Sequence, residues 1–126
     1  GHGITTTPLQ LAKGYSIITN GGYDIKPTLI KNSLEKKENK NRILKEEVSK
    51  KINPILRKVV STDEGTAHFA DVEGYQVAGK TGTADKARYG GYSKDKINTF
   101  VSIFPASKPK YILLVLKESE PICFRY

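Results

Sequence analysis

Lys80, Thr81 and Thr83 fall within four consecutive positions, flanked and interrupted by glycines, in the run Val77-Ala78-Gly79-Lys80-Thr81-Gly82-Thr83. A cation beside two hydroxyls is equipped to hold an anionic group, through charge-assisted hydrogen bonds. Tyr75 and Val77 alternate with Gln76 and Ala78 in the period of two of a half-buried strand. Continuing that count puts Gly79, Thr81 and Thr83 on the face of Val77, with Lys80 and Gly82 on the other. Glycine inside a strand marks a place where a backbone or a ligand comes close. Two of them around a Lys-Thr pair point to a ligand.

The first candidate anion is a phosphate. Gly74-Tyr75-Gln76-Val77-Ala78-Gly79-Lys80-Thr81 satisfies the pattern G-x-x-x-x-G-K-[ST] at every specified position. A phosphate loop, however, needs a strand that ends before its first glycine and a helix that begins at its lysine. Here the strand signal lies inside the supposed loop. Thr81-Gly82-Thr83 is poor material for opening a helix, and Tyr111 to Leu116 runs into Lys117-Glu118 instead of an aspartate for magnesium. Nucleotide binding at residues 74–81 therefore stands as the alternative reading.

The elements that must position this run are legible around it. Thr7-Pro8-Leu9-Gln10 predicts a helix start, with a threonine cap, proline at the first helical position and glutamine closing a capping box. Leu11, Tyr15 and Ile18 recur at helical spacing until Gly21-Gly22 supplies a left-handed stop. A short extended piece is expected around Pro27 to Ile30, then a polar loop from Lys31 to Asn41. Val48, Ile52, Ile55, Leu56 and Val59 restore the helical period from Leu44 to Val60. Pro54 predicts two helical pieces or one kinked helix, with Asn53 able to cap the second. Ser61 to Gly74 and Asp85 to Asp95 read as connectors. Thr99 to Phe104 and Tyr111 to Leu116 read as strands, the latter covered on both faces. Three consecutive strands joined this way predict an α+β fold, an antiparallel meander packed on helices.

Composition narrows the partners. The formal charge of +8 is concentrated between Lys31 and Lys58, where ten Lys or Arg face four Glu. That segment has no aromatic residue for stacking on bases, so it reads as a solvated face; a basic module for anionic polymers is the further alternative, and no nucleic-acid partner is expected. His2 and His68 lie far apart, without companions at ligand spacing, so no metal is expected. A triad of His68 with Ser61 and Asp71 has nothing in the sequence to order it. Cys123 is the sole cysteine, which excludes an internal disulfide. The run Tyr111 to Leu116 is too short to span a bilayer. The chain contains no methionine, and Gly1-His2-Gly3 reads like the middle of a loop; both favour a piece of a larger protein.

Lys80-Thr81-Gly82 also matches the Lys-Thr-Gly element of serine acyl-transferases that react with penicillin. Thr7-Pro8-Leu9-Gln10-Leu11-Ala12, Asn20-Gly21-Gly22, Glu64-Gly65-Thr66, Val77 to Ala84, Gly90-Gly91-Tyr92 and Phe104-Pro105-Ala106 follow in family order at about family spacing. The chain resembles the C-terminal part of the transpeptidase domain of class B penicillin-binding proteins, from Gly1 to about Pro121. The resemblance implies residues 1–126 are a fragment of the penicillin-binding, β-lactamase-like sheet-and-helix domain of a peptidoglycan D,D-transpeptidase. It implies that Lys80 orients substrate and shuttles protons, that Thr81 and Thr83 hold the carboxylate of a stem peptide or a β-lactam, that Gly82 gives it room, and that the Thr83 N–H is an oxyanion donor. No cofactor is implied.

The family's S-x-x-K nucleophile is not matched credibly. Ser33-Leu34-Glu35-Lys36 sits in a polar loop, and Ser93-Lys94-Asp95-Lys96 follows Lys80 instead of preceding it; no S-x-N occurs. The serine is expected upstream of Gly1, and this chain alone is expected to be inactive. The resemblance further implies a membrane-anchored parent with this domain outside the cytoplasmic membrane. After Pro121 the sequence leaves the family pattern and stops at Tyr126, where a continuation to a final helix is expected.

Overall fold

The computed structural model describes residues 4–30 and 41–119. It contains helix α1 (Pro8–Thr19), a two-residue strand pair β1 (Tyr23–Asp24) and β2 (Asn41–Arg42), helix α2 (Glu46–Ser61), a 3-10 turn at His68–Ala70, and strands β3 (Ala78–Arg88), β4 (Gly91–Phe104) and β5 (Tyr111–Ser119). The last three form an antiparallel sheet in the order β3-β4-β5. This is the α+β meander expected from the sequence.

α1 starts where its cap chemistry dictates. The Thr7 hydroxyl accepts from the Gln10 amide at 3.2 Å while the Gln10 side-chain oxygen accepts from the Thr7 amide at 2.8 Å, so both members of the capping box are made. It stops at Gly21 and Gly22, with φ of 94° and 88°. A side chain at Gly22 would also meet the Leu44 carbonyl oxygen at 2.0 Å. Buried Ser49 fastens this end to α2: its hydroxyl donates to the Ile18 carbonyl at 2.5 Å and accepts from the Gly21 amide at 2.9 Å.

Several expectations are corrected. No strand forms at Pro27 to Ile30; the extended pairing joins Tyr23–Asp24 to Asn41–Arg42. The loop expected from Lys31 lies, up to residue 40, outside the described residues, as do Ser33 to Lys36 and Cys123. α2 is one uninterrupted helix with Pro54 inside it. Pro54 and Lys50 are both exposed, so the carbonyl that proline leaves without its amide partner sits on the solvent side, while Ile52, Leu56 and Val60 hold the helix to the core on either side of it. Asn53 caps nothing and instead donates to the Thr19 carbonyl at 3.1 Å.

The strands are longer than their apolar cores. Asp85 to Asp95 is no connector: β3 and β4 run through it, with a register shift between Asp85 and Ala87 and a turn at Tyr89-Gly90. Lys96 pairs with Asp85, and Lys86 with Glu118 at 2.5 Å, so cross-strand charges supply what apolar alternation does not. β3 begins at Ala78 and not at Tyr75, because Gln76 takes φ of 50° and ends any extended run before it.

Cross-strand partners share a face. Ala78, Ile103 and Ile112 form one row, and this face packs on the helices through Leu56, Ala106, Tyr15 and Ile52. Among the described residues the opposite face is covered only at one end, where Phe100 meets Val60, Ala67 and Val77. Tyr111, Leu113 and Val115 on that face are 60%, 53% and 48% exposed, so β5 is not covered on both faces within the described residues.

The two glycines of β3 approach β4 differently. A Cβ at Gly79 would lie 2.5 Å from the Val101 carbonyl oxygen and 2.8 Å from the Phe100 ring, whereas at Gly82 it would meet only the Thr99 hydroxyl, at 2.6 Å. A hydroxyl can rotate away and a ladder carbonyl cannot. Gly79→Ala is therefore expected to destabilise the protein by about 2–3 kcal/mol, and Gly82→Ala by less than about 1 kcal/mol, in urea unfolding. Equal losses would refute this account of the strand.

Candidate functional site

Among the described residues β3 is one of the two edge strands of the sheet, β5 being the other, so every second amide and carbonyl along it faces away from β4. Lys80, Thr81, Gly82 and Thr83 lie in its first half, opposite Val101, Phe100, Thr99 and Asn98. They sit in the middle of a strand and no helix opens at Lys80, which removes the geometry of a phosphate loop.

The alternation predicted for these residues holds. Thr81 and Thr83 share a face with Phe100, Asn98, Val115 and Lys117; Lys80 and Gly82 belong to the face of Val101, Thr99, Leu114 and Leu116. Lys80 is exposed, and its ammonium donates to the Thr81 carbonyl at 2.8 Å. Among the described residues no carboxylate is paired with it. The cation and the two hydroxyls therefore approach from opposite sides of one strand edge, a geometry suited to a ligand lying along that edge.

Two residues without an assigned role in the sequence reading hold the hydroxyls. The Thr66 and Thr81 hydroxyl oxygens are 2.9 Å apart, and the Thr83 hydroxyl donates to the Asn98 side-chain oxygen at 3.1 Å. Thr66, Thr81, Thr83, Asn98 and Lys117 line a shallow groove of about 510 Å³. Thr66 belongs to the Glu64-Gly65-Thr66 signature, so its position was signalled though its contact was not. Asn98 carried no signal, since its partner is fifteen residues away on another strand.

The groove is held against α2 through backbone contacts. The Ala67 amide donates to the Val59 carbonyl at 3.1 Å, and a Cβ at Gly65 would lie 2.2 Å from that same carbonyl oxygen, so only glycine fits there. Arg57 supplies the second tie. Its guanidinium makes a two-pronged contact with Asp71, at 2.7 and 3.0 Å, and donates to the Val77 carbonyl at 2.6 Å, one residue before β3. Asp71 is thereby engaged with Arg57, and the His68 Nδ1 lies 3.0 Å from the Gly65 carbonyl. No triad with Ser61 is assembled. Ser93 and Lys96 lie on β4, not at the start of a helix.

A larger hollow of about 990 Å³ lies between the end of α1, α2 and the turn after β4, and includes none of Lys80 to Thr83. Its charged lining is largely self-satisfied: Glu46 pairs with Lys50 at 2.9 Å and with Arg42 at 3.6 Å. The contact with Lys50 holds the Glu46 carboxyl below its ordinary range. Among the described residues no group of His, Cys, Asp or Glu could hold a metal ion, and no helix is long and apolar enough to cross a membrane.

Residues 1–122 match the family described as the penicillin binding protein transpeptidase domain. Stage V sporulation protein D of Bacillus subtilis (strain 168) is 36% identical over 126 aligned positions, covering 91% of this chain and 19% of that protein. The peptidoglycan D,D-transpeptidase FtsI homolog of Mesostigma viride is 31% identical over 149 positions, covering 98% of this chain and 25% of that protein. The solved transpeptidase domain of Burkholderia pseudomallei penicillin-binding protein 3 superposes with a TM-score of 0.81 at 29% identity, over 92% of this chain and 35% of that one. The chain thus spans about a fifth to a quarter of the length of these two curated relatives.

The Arg57 hydrogen bonds hold the Asp71 carboxyl below its ordinary range. A carboxyl depressed by folding stabilises the protein above its unfolded pKa, and that contribution is lost as pH falls through the folded value. Asp71→Asn is expected to lower the melting temperature at pH 7. The gap to the parent should close progressively below about pH 4, the ordinary carboxylate range. A gap that stays constant down to pH 2 would show that the ion pair contributes nothing.

Proposed function

The chain belongs to the penicillin binding protein transpeptidase domain family, and from that premise we propose that it carries the substrate-binding wall of a peptidoglycan D,D-transpeptidase. The observation that carries this reading is the unpaired edge of β3 bearing Lys80, Thr81, Gly82 and Thr83. An extended peptide adds to such an edge by main-chain hydrogen bonds, and a cation with hydroxyls close by selects one that ends in a carboxylate.

In this reading the ligand is a stem peptide ending in D-Ala-D-Ala, or a β-lactam. A serine hydroxyl attacks the penultimate D-Ala carbonyl, and negative charge develops on its oxygen. The backbone N–H of Thr83 is one of two donors aimed at that charge, where a preorganised dipole is most useful. The C–N bond breaks, D-Ala leaves with a proton on its amine, and an acyl-enzyme remains. A second stem peptide's amine then attacks the ester and forms the crosslink. Lys80 contributes positive charge and hydrogen bonds near the serine, and Thr81 and Thr83 hold the terminal carboxylate. The reaction takes place outside the cytoplasmic membrane.

The serine belongs to a segment upstream of Gly1, so residues 1–126 are the C-terminal part of the domain and form half of an active site. Neither the phosphate-loop reading nor the basic-module reading is favoured by a specific contact.

Fluorescent penicillin is expected to leave the 126-residue chain unlabelled and to acylate a protein extended upstream through the S-x-x-K segment. In that extended protein, Lys80→Ala should slow acylation by at least about 100-fold, the usual scale for losing a proton-transfer group. Stoichiometric labelling of the 126-residue chain, mapped by mass spectrometry to one of its own serines, would overturn the assignment of the nucleophile.

A further inference from the structure

Thr81 and Thr83 are not equivalent in the groove. Thr66 and Thr81 bring two hydroxyl protons to a single contact of 2.9 Å, so one proton bridges the pair and the other stays available to a ligand. Thr83 brings one proton, and it is spent on the Asn98 side-chain oxygen at 3.1 Å. A carboxylate accepts only; it cannot be bound by a hydroxyl whose proton points elsewhere. In the free groove the Thr66–Thr81 pair keeps one hydroxyl proton for a carboxylate, and Thr83 keeps none.

We propose that Asn98 is a specificity-determining positioning residue that competes with the ligand carboxylate for the Thr83 hydroxyl proton, so that engagement of Thr83 requires its hydroxyl to turn from Asn98 to the ligand. The inference rests on the carboxylate-binding role of Thr83 given above. Asn98 is placed for this by register: it is the direct cross-strand partner of Thr83, on the same face, half-buried and lining the same groove. Lys117 is the cross-strand partner of Asn98 in turn, on the groove side of β5. An anion drawn toward the groove thus meets a cation first and a hydroxyl already engaged by a neutral acceptor. A carboxylate is the stronger acceptor, so the exchange runs toward the ligand, at the cost of the contact with Asn98. The consequence is a selection step: a ligand with a full negative charge turns Thr83, and a neutral one does not.

Acylation of the full-length protein by fluorescent penicillin tests this. Asn98→Val keeps the strand and removes the acceptor; it is expected to raise the acylation rate constant about three- to tenfold, the worth of one neutral hydrogen bond no longer broken on binding. Asn98→Asp, a stronger acceptor that also repels the ligand, should lower it by a similar factor. In a Thr83→Val background Asn98→Val should change nothing, and with the penicillin carboxylate masked as a methyl ester the Asn98→Val gain should vanish. An Asn98→Val gain that survives without Thr83, or that is the same for acid and ester, would overturn the competition; so would a slowing by Asn98→Val. If the parent protein takes no label at all, the transpeptidase reading falls and this inference with it, an outcome distinct from labelling that is insensitive to Asn98.

Discussion

Arg57 holds three separate segments together with one planar group. From the middle of α2 it reaches Asp71 in the stretch that leaves the helix and the Val77 carbonyl at the point where β3 begins. A guanidinium suits this work, because its fixed fork satisfies a carboxylate with Nη1 and Nη2 while a second N–H of Nη1 remains for the Val77 carbonyl. Among the described residues β3 has a ladder on one side only. A strand with half its hydrogen bonds is weakly located by the sheet alone. The clasp at Val77 fixes where it starts, and the burial of Ala78 against Ile103 and Leu56 fixes which face turns inward.

From that start the period of the strand places the chemistry without further help. Once Ala78 faces the helices, Lys80 and Gly82 must follow it and Thr81 and Thr83 must face the groove. A slip of one residue would turn Lys80 toward Phe100 and both hydroxyls toward the helices. Gly79 opposes the slip, since only a residue without a side chain tolerates the Val101 carbonyl and the Phe100 ring so close. The register that stabilises the sheet is therefore the register that presents a cation on one side of the edge and hydroxyls on the other.

The parts of this arrangement that were legible in the sequence are those decided locally. Thr7, Pro8 and Gln10 announce α1 because a cap is made within four residues, and Gly21 and Gly22 announce its end because the conformation is local too. The faces of Lys80 and Thr81 follow from period alone. What failed was decided at a distance. Gln76 looked like strand, but its backbone is bent by contacts with the turn after β4: its carbonyl accepts from the Ala106 amide at 2.9 Å and its side chain from Ser107 at 2.7 Å. Asp85 to Asp95 looked like a connector because its residues are charged and glycine-rich, yet those charges are paired across strands. Pro54 looked like a break, and tertiary packing on both sides of it keeps the helix whole. The partners of the two hydroxyls, Thr66 and Asn98, each lie fifteen residues from the threonine they hold, beyond the reach of any local pattern.

The same distance dependence explains why the excess positive charge says little about the site. Along α2 two of the cations are drawn into short-range pairs, Lys50 with Glu46 and Arg57 with Asp71, and such partly exposed pairs are screened by water and salt. Lys80 differs from these two in having a carbonyl and, among the described residues, no carboxylate as its contact. A lysine held by a neutral acceptor keeps its full charge for whatever approaches. The β3 edge thus carries, among the described residues, a cation with no paired carboxylate, so an anionic group arriving along β3 meets an attraction that Lys50, held by Glu46, no longer offers in full.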